Sequence, residues 1–172
     1  MINNPTISGY KPFYIQKGQT CYDTQAQWGF IAKSNPYPAL PEPKEPYANK
    51  FKDHDGDDEY TENMYYESFT FDVQFYIRTK DTVVNNAVTE TAAETIRTQL
   101  KAFFDFVKSG DLMVFDSYTA LGRRNVRYAG YKEDDFKARG SGATCIFTIT
   151  FKVNDPVTMM KYNSTTGKIV EI

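Results

Sequence analysis

Two stretches of the chain alternate strictly between apolar and polar residues, a period typical of a strand with one face on a core. The first covers residues 68–78 and the second covers residues 145–153. Each places apolar side chains at five successive odd-numbered positions, many of them aromatic or β-branched. Because such side chains are favoured in sheets, the sequence predicts two long strands that are each buried on one face.

Between these stretches the apolar period changes to that of a helix. Thr91 followed by Glu94 predicts a capping box, in which the Thr hydroxyl accepts from a free amide and the Glu reaches back. Lys108 and Gly110 mark the end of the helix. The stripe expected to face the odd-numbered strand residues consists of Ile96, Leu100, Phe103, Phe104 and Val107. These signals predict one amphipathic helix over residues 91–107, packed on the sheet.

Weaker patterns predict shorter strands elsewhere in the chain. Residues 112–116 and 125–131 form two of them, with Leu121-Gly122 as the turn between them. Residues 13–15 and 28–31 are also predicted to be brief strands, because both are short apolar runs between polar residues.

The rest of the chain is predicted to be loops and one further hairpin. Residues 80–89 are polar and predict a loop, and Asn154-Asp155-Pro156 ends the second long strand. Thr166-Gly167 predicts the turn of a C-terminal hairpin. The resulting order of elements predicts an α+β fold, a mostly antiparallel β-sheet or small β-sandwich with one amphipathic helix packed on it.

The length of 172 residues predicts a single domain over residues 1–172. We expect an irregular N-terminal segment over residues 1–36, a core over residues 37–156 and a C-terminal hairpin or arm over residues 157–172. Five prolines fall within residues 36–46, which excludes a helix or central strand there and favours a stiff, extended crossing of the surface.

The composition narrows the classes of partner. The chain has 13 Tyr and 13 Phe residues, and this aromatic excess suits sheets and large contact surfaces. A net charge of -2 gives no general attraction to nucleic acid or to an anionic membrane, so we expect neither as a partner.

No signal peptide or membrane-spanning run is apparent, so we expect synthesis in a cytoplasm. Cys21 and Cys145 are expected to be buried, reduced thiols.

The residues that usually indicate catalysis or metal binding are sparse. The single histidine, His54, lies among Asp and Gly residues and is expected to be a solvated turn residue. Asp53, Asp55 and Asp57 alternate as in a calcium-binding EF-hand loop, but glycine falls at the fourth position instead of the sixth and Met64 replaces the twelfth-position Glu. We therefore expect no enzyme activity, no cofactor and no required metal.

Two short segments carry opposite charge. The acidic one includes Asp55, Asp57, Asp58 and Glu59, and the basic one includes Arg123, Arg124 and Arg127. Both segments can simply be solvated. The alternative is a contact between copies: a ring needs two different patches that meet head to tail, and opposite charges would fix their register. We therefore consider these seven residues a candidate subunit interface.

The order of the parts resembles that of a known family. The pieces that carry the resemblance are the proline-containing crossing at residues 40–44, the charged turn at residues 53–56, the aromatic strand at residues 69–77, the helix and short strand at residues 103–115, and the final strand that runs into Asn154-Asp155-Pro156. Together they resemble the N-terminal domain of the distal tail protein family of siphovirus-like bacteriophages, over about residues 37–156.

This resemblance implies a structural protein of the virion tail, synthesised in the bacterial host. Such a protein forms a ring, commonly a hexamer, at the tip of the tail tube, and its partners are its own copies, the tail tube protein and the hub or fibre proteins below. Tail tube and tail terminator proteins share a related core and remain alternatives. A further alternative is a small carbohydrate-binding module that uses Trp28, Tyr65 and Tyr66 as stacking platforms.

Overall fold

A computed structural model describes residues 9–33, 38–50, 52–53 and 55–172 of the chain. These described residues form two helices and thirteen strands. The helices are α1 (Thr24–Trp28) and α2 (Ala92–Val107). The strands are β1 (Phe13–Lys17), β2 (Thr20–Asp23), β3 (Ile31–Ala32), β4 (Ala48–Asn49), β5 (Asp58–Glu59), β6 (Phe69–Lys80), β7 (Thr82–Val84), β8 (Ala87–Glu90), β9 (Leu112–Asp116), β10 (Leu121–Lys137), β11 (Gly142–Val153), β12 (Met159–Asn163) and β13 (Lys168–Glu171).

One antiparallel sheet contains most of these strands, in the order β2-β1-β9-β10-β11-β6-β3. β12 pairs with the start of β10, and β13 pairs with β12. Two separate hairpins, β4-β5 and β7-β8, lie outside this sheet. The predicted α+β class is confirmed. The N-terminal segment, which was expected to be irregular, contributes β1, β2 and β3 to the main sheet and also supplies α1.

The two long predicted strands are confirmed as β6 and β11, and they pair directly. Phe75 lies opposite Phe147, and Phe71 lies opposite Phe151. Since the side-chain period in a strand is two, every odd-numbered position of both strands faces the same side, and α2 covers that side. The Phe103 ring of α2 lies 6.2 Å from the Phe75 ring, as the predicted helical stripe requires.

The start of α2 has the predicted capping box. The amide of Glu94 donates to the hydroxyl of Thr91 at 3.3 Å, and the amide of Thr91 donates to the Glu94 carboxylate at 2.8 Å. The amide of Ala92 donates to the Asp81 carboxylate at 2.7 Å. Three of the amides that every helix leaves unpaired at its start are thus satisfied, which fixes the helix start on the sheet.

The prediction of a strand over residues 28–31 is wrong. Trp28 ends α1, whose start is capped by the Asp23 carboxylate and whose end is capped by Gly29 at φ 77°. Only Ile31 and Ala32 are extended, as β3. A short apolar run fits a buried helix end as well as a strand, so the period alone could not separate the two structures.

The prediction of a loop over residues 80–89 is also wrong. These residues form the end of β6 and the hairpin β7-β8, which turns at Asn85 (φ 50°) and Asn86 (φ 62°). Two successive positive φ angles match the tight turn that suits a twisted hairpin, and Asn tolerates that conformation. The hairpin exposes three valines, Val83, Val84 and Val88. Its residues therefore lack the alternation of buried apolar and exposed polar side chains that identifies a strand in sequence.

Leu121-Gly122 does not form a turn, contrary to the prediction. The chain turns just before, where the buried Asp116 carboxylate accepts from the Tyr118 amide and the Thr119 hydroxyl, both at 3.0 Å. Leu121 and Gly122 begin β10, a strand of 17 residues. A Cβ at position 122 would lie 2.6 Å from the carbonyl oxygen of Met160, so the glycine allows β12 to approach β10 closely.

The predicted C-terminal hairpin is confirmed as β12-β13, and it packs against the first strand. The rings of Tyr14 and Tyr162 stack with centroids 3.8 Å apart. The amide of Ile169 donates to the side-chain oxygen of Gln16 at 2.6 Å. Both Gln16 and Ile169 are buried, so this hairpin covers the face of β1 that does not face α2.

Candidate assembly surfaces

Arg123, one of the predicted interface residues, is completely buried. It lies opposite Val114 of β9, on the core side of the sheet. Its guanidinium donates to the carbonyl oxygens of Pro38 at 3.1 Å and Ala39 at 2.7 Å, and lies 5.9 Å from the Phe69 ring. The prediction of an exposed Arg123 is wrong, because this side chain holds the extended segment after residue 37 against the end of the sheet.

The sequence contained a signal for this burial. β10 begins at Leu121, and its pairing with β9 is irregular between Arg123 and Val126. Because of this irregularity, Leu121 and Arg123 lie on the same face of the strand as Val126. The assumed turn at Leu121-Gly122 hid that alternation. A buried arginine must find acceptors, and backbone carbonyls of a proline-containing segment are suitable ones because they lack partners in a sheet or helix.

The neighbouring arginines behave differently. Arg124 forms ion pairs with Asp155 at 2.6 Å and with Glu171 at 3.3 Å, so its charge is compensated within the chain. Partial burial acts to raise the pKa of Asp155, but the Thr158 amide and the Arg124 guanidinium outweigh it and lower the pKa to about 2. Arg127 is exposed and donates to the backbone oxygen of Tyr128 at 3.3 Å.

The acidic residues lie within residues 43–66, and we call the described part of this segment the acidic arm. Pro43 pairs with Tyr66 at its base, where the amide of Lys44 donates to the Tyr65 carbonyl at 2.8 Å. Farther out, β4 and β5 pair with each other. The described part of the segment over residues 38–46 contains no helix and no named strand, as its prolines predict.

The acidic arm presents carboxylates and tyrosines to solvent. Its exposed carboxylates include Asp55, Asp57, Asp58, Glu59 and Glu62, and its most exposed rings are those of Tyr47, Tyr60 and Tyr65. Among the described residues, the ion pair between Lys50 and Asp57, at 4.0 Å, is the arm's one salt bridge. Its surface is therefore both negatively charged and aromatic. Aromatic residues are enriched at protein interfaces, and cations on a partner would complement the carboxylates.

The pairing register shows which side chains share the outer face of the sheet, the face away from α2. Arg78 of β6, Thr144 of β11 and Lys137 of β10 form one row across three strands. At the other end of the same face, Lys152 of β11 lies beside Arg127 of β10. Directly opposed residues of an antiparallel pair project from the same face, so each row forms a continuous strip.

The first of these rows borders an open cleft that we call the basic cleft. Its volume is about 840 Å³, and it is lined by Tyr76, Arg78, Phe136, Lys137, Arg139 and Thr144 among others. Lys137 forms an ion pair with Asp135 at 3.4 Å, whereas Arg78 and Arg139 form no salt bridge with a described residue. The cleft therefore carries a net positive charge next to the Tyr76 ring, which lies on the same face of the sheet.

Between the two ends, the outer face is held by hydrogen bonds between side chains. The hydroxyl of Thr150 donates to Asp72 at 2.6 Å, and Asp134 accepts from Thr148 at 2.6 Å and from Gln74 at 3.1 Å. The bonds from Thr148 and Gln74 lower the pKa of Asp134. These contacts fix the three strands to one another and keep the outer face polar without leaving its carboxylates isolated.

A second groove lies between α2 and β10, on the core side of the sheet. It has a volume of about 310 Å³ and is lined by Leu100, Phe104, Tyr128 and Tyr131 among others. Beside it, Arg97 donates two hydrogen bonds to the Glu133 carboxylate, at 2.7 and 3.1 Å. Phe104 was predicted to belong to the buried stripe, but 43% of its surface is exposed at this groove.

The candidate residues for chemistry do not assemble into a site. His54 lies outside the described residues. Among those that the structure describes, no three His, Cys, Asp or Glu side chains form a group that could hold a metal ion. Cys145 is buried and Cys21 partly so, and burial raises the pKa of both thiols to about 11. No described helix has the length and apolarity needed to cross a bilayer.

Of the three residues proposed as stacking platforms for sugars, one is buried and two are exposed. Trp28 is only 3% exposed and lies in the core, 5.0 Å from the Phe103 ring, so its assignment to a sugar-binding surface is wrong. Tyr65 and Tyr66 are exposed at the base of the acidic arm. A platform formed by these two rings alone lacks the third aromatic residue on which the carbohydrate alternative depended.

Comparison with known proteins shows what the fold is similar to. No family model matches the sequence, and no curated protein matches it. The fold is similar to that in the crystal structure of the Dit protein (gp 19.1) of phage SPP1, described as a paradigm of the hub adsorption apparatus in phages that infect Gram-positive bacteria. The likeness covers 87% of this chain and 52% of that protein, with a TM-score of 0.51 and 14% identity. This chain thus spans about half the length of Dit, and at this identity the likeness shows a shared fold.

Proposed function

We propose that this protein is a structural subunit of a bacteriophage tail, located at the distal end of the tail tube. In this role its copies form a ring that joins the tube to the hub and fibre proteins of the tail tip. The observation that carries the proposal is the fold shared with SPP1 Dit over 87% of this chain. The order of sequence elements resembles that of the distal tail protein family and supports the same assignment independently of the fold.

The surface of the molecule is consistent with an assembly role. The acidic arm and the basic cleft are two different charged patches, each with exposed or partly exposed aromatic residues. A ring is built from heterologous contacts between different patches, in contrast to a two-fold dimer. We further propose that the protein acts without catalysis or a cofactor, since Asp81, Asp134 and Asp155 serve as a helix cap, a sheet contact and an ion-pair partner.

Labelling of intact particles tests the position along the tail. Gold-conjugated antibodies raised against this chain should bind purified phage particles at the tail end farthest from the capsid. Label along the whole tube would instead assign a tail tube subunit, and label at the junction with the capsid would assign a terminator; either result would overturn the distal position. Particles without any label would overturn the tail assignment.

Native mass spectrometry of the purified chain tests the ring. The expected result is a closed oligomer with one dominant copy number, commonly six in the family it resembles. Retention of a strictly monomeric chain on glycan columns would favour the carbohydrate-binding alternative. Matched samples in low and high salt separate a specific oligomer from loose electrostatic association, because screening weakens exposed charge pairs most.

A further inference from the structure

We propose that the acidic arm of one copy docks into the basic cleft of a second copy, and that this contact builds the ring head to tail. The inference rests on the proposed function, which it deepens by naming the two surfaces that meet. It replaces the basic partner expected from sequence: Arg123 is buried, and the charge of Arg124 is compensated by Asp155 and Glu171.

The two surfaces lie at opposite ends of one long strand. The base of the arm, where Pro43 pairs with Tyr66, lies three residues before Phe69, the first residue of β6. The basic cleft lies at the far end of β6, beside Arg78. A strand of 12 residues separates its ends by roughly 36 Å, at about 3.3 Å per residue. None of the residues that line the cleft belongs to the arm of the same chain.

The charges of the two surfaces are complementary. In the arm, the exposed Asp57 carboxylate lies 4.0 Å from Lys50, a weak and exposed ion pair. In the cleft, Asp135 compensates Lys137, while Arg78 and Arg139 form no salt bridge with a described residue. Bringing a second copy's carboxylates to these two guanidinium groups would supply planar acceptors, which is the partner geometry that arginine favours.

Aromatic side chains supply the rest of the contact. Tyr47 and Tyr65 of the arm are 74% and 71% exposed, and Tyr76 lies in the cleft next to its arginines. Guanidinium groups stack favourably on aromatic faces, and tyrosine and arginine are the residues that most often dominate interface energies. Exposed charge pairs contribute only about 0–1 kcal/mol each, so the charges fix register while the rings provide most of the affinity.

The geometry has a direct consequence for symmetry. Because the two surfaces differ and lie at opposite ends of β6, the proposed contact runs head to tail and is not reciprocated within a two-fold pair. A head-to-tail contact repeats from copy to copy and closes into a ring when its rotation allows, or otherwise extends as a filament. Each copy in the ring contributes one arm and one cleft, so each subunit makes the same two contacts.

Charge reversal tests the contact on the full chain. Arg78→Glu with Arg139→Glu should weaken self-association about tenfold at low salt, the effect expected when two or three exposed pairs are lost. The arm variant Asp57→Lys with Asp58→Lys should weaken it similarly. The chain that carries all four substitutions should regain most of the parent's association, because each patch again meets its opposite.

A matched control lies on the same sheet face. Arg127→Glu with Lys152→Glu makes the same change of charge at the other end of the outer face and should leave association unchanged. Sedimentation equilibrium measures each association constant, and circular dichroism checks that each variant is folded. Loss of association in the control, or additive losses in the four-substitution chain, would overturn the docking contact.

The test separates this contact from the proposed function. If the parent is oligomeric and the cleft variant associates as strongly as the parent, the docking contact is overturned and the tail assignment stays in place. A parent that stays monomeric at every concentration would also overturn the docking contact, while the antibody label on particles decides the tail assignment independently. The predicted contact of the acidic arm with Arg127 is tested by the control pair in the same experiment.

Discussion

Arg123 donates a hydrogen bond to the carbonyl oxygen of Ala39 at 2.7 Å, although the two residues are 84 positions apart in sequence. This contact joins the extended segment before the acidic arm to the buried start of β10. A charge buried in this way stabilises a fold only while its hydrogen bonds are complete. The position of the arm's base therefore depends on this buried side chain as well as on the pairing of Pro43 with Tyr66.

Replacing Arg123 should destabilise the protein strongly. Arg123→Ala removes the bonds to Pro38 and Ala39 and leaves a cavity, so the free energy of unfolding should fall by about 3 kcal/mol in urea titrations. Arg123→Lys should not restore it, because a single ammonium cannot reproduce the planar fork of donors. Arg127→Ala is the exposed control, and it should stay within about 0.5 kcal/mol of the parent. Equal losses at both positions would contradict the assigned role of Arg123.

Two adjacent residues of α2 should respond oppositely to the same change. Phe103 is buried against the rings of Trp28, Phe30 and Phe75, whereas Phe104 is 43% exposed. Phe103→Ala should lower the free energy of unfolding by about 3–5 kcal/mol, and Phe103→Asp should give insoluble protein because it buries a charge. Phe104→Asp should remain soluble and folded by circular dichroism. A soluble, assembling Phe103→Asp variant would contradict the core assignment.

The glycine at the start of β10 should not tolerate a methyl group. Gly122→Ala places a Cβ 2.6 Å from the Met160 carbonyl oxygen, and relief of this clash should cost about 1–3 kcal/mol. Gly130→Ala in the same strand is the control, because its Cβ would lie 3.6 Å from Thr150, an ordinary contact. Thermal unfolding of both variants measures the difference. A stable Gly122→Ala protein would contradict the close approach of β12 to β10.

Stability should depend on pH through Asp155. Its folded pKa is lowered from 3.8 to about 2, so its stabilising contribution is complete above about pH 4 and is lost as the pH falls from about 4 to about 2. Asp155→Asn should lower stability at neutral pH and flatten the decline over that interval. Arg124→Gln removes one of the partners and should flatten it in part. Unfolding titrations from pH 2 to pH 7 give both curves, and an unchanged slope in Asp155→Asn would contradict the assignment.

The parts of the fold that sequence predicted are those in which one local signal determines the outcome. The odd-numbered apolar residues of β6 and β11 and the capping box of Thr91 and Glu94 are such cases, and all are confirmed. The hairpin β7-β8 was not predicted, because its valines are exposed and its turn depends on positive φ angles at two asparagines. No burial pattern marked it as a pair of strands.

The sequence predicted that the protein has an acidic and a basic surface, but it did not predict where the basic surface lies. The charge of the acidic arm is local, so its exposed carboxylates follow from the sequence alone. The basic partner is a tertiary property: Arg78, Lys137 and Arg139 come from β6, β10 and the connection to β11, and only the pairing register brings them together. Arg123 was misplaced because one assumed turn shifted the start of β10.

The packing of β12-β13 on β1 has a consequence for how the chain folds. Gln16 and Ile169 meet across 153 positions of sequence, so β1 gains its cover only after most of the chain has emerged from the ribosome. Contacts with such long sequence separation form late and slow the folding reaction, because the loop they close must first lose its entropy. Until then the rings of Tyr14 and Phe115 face water, and a nascent chain that ends before residue 159 would present them to chaperones.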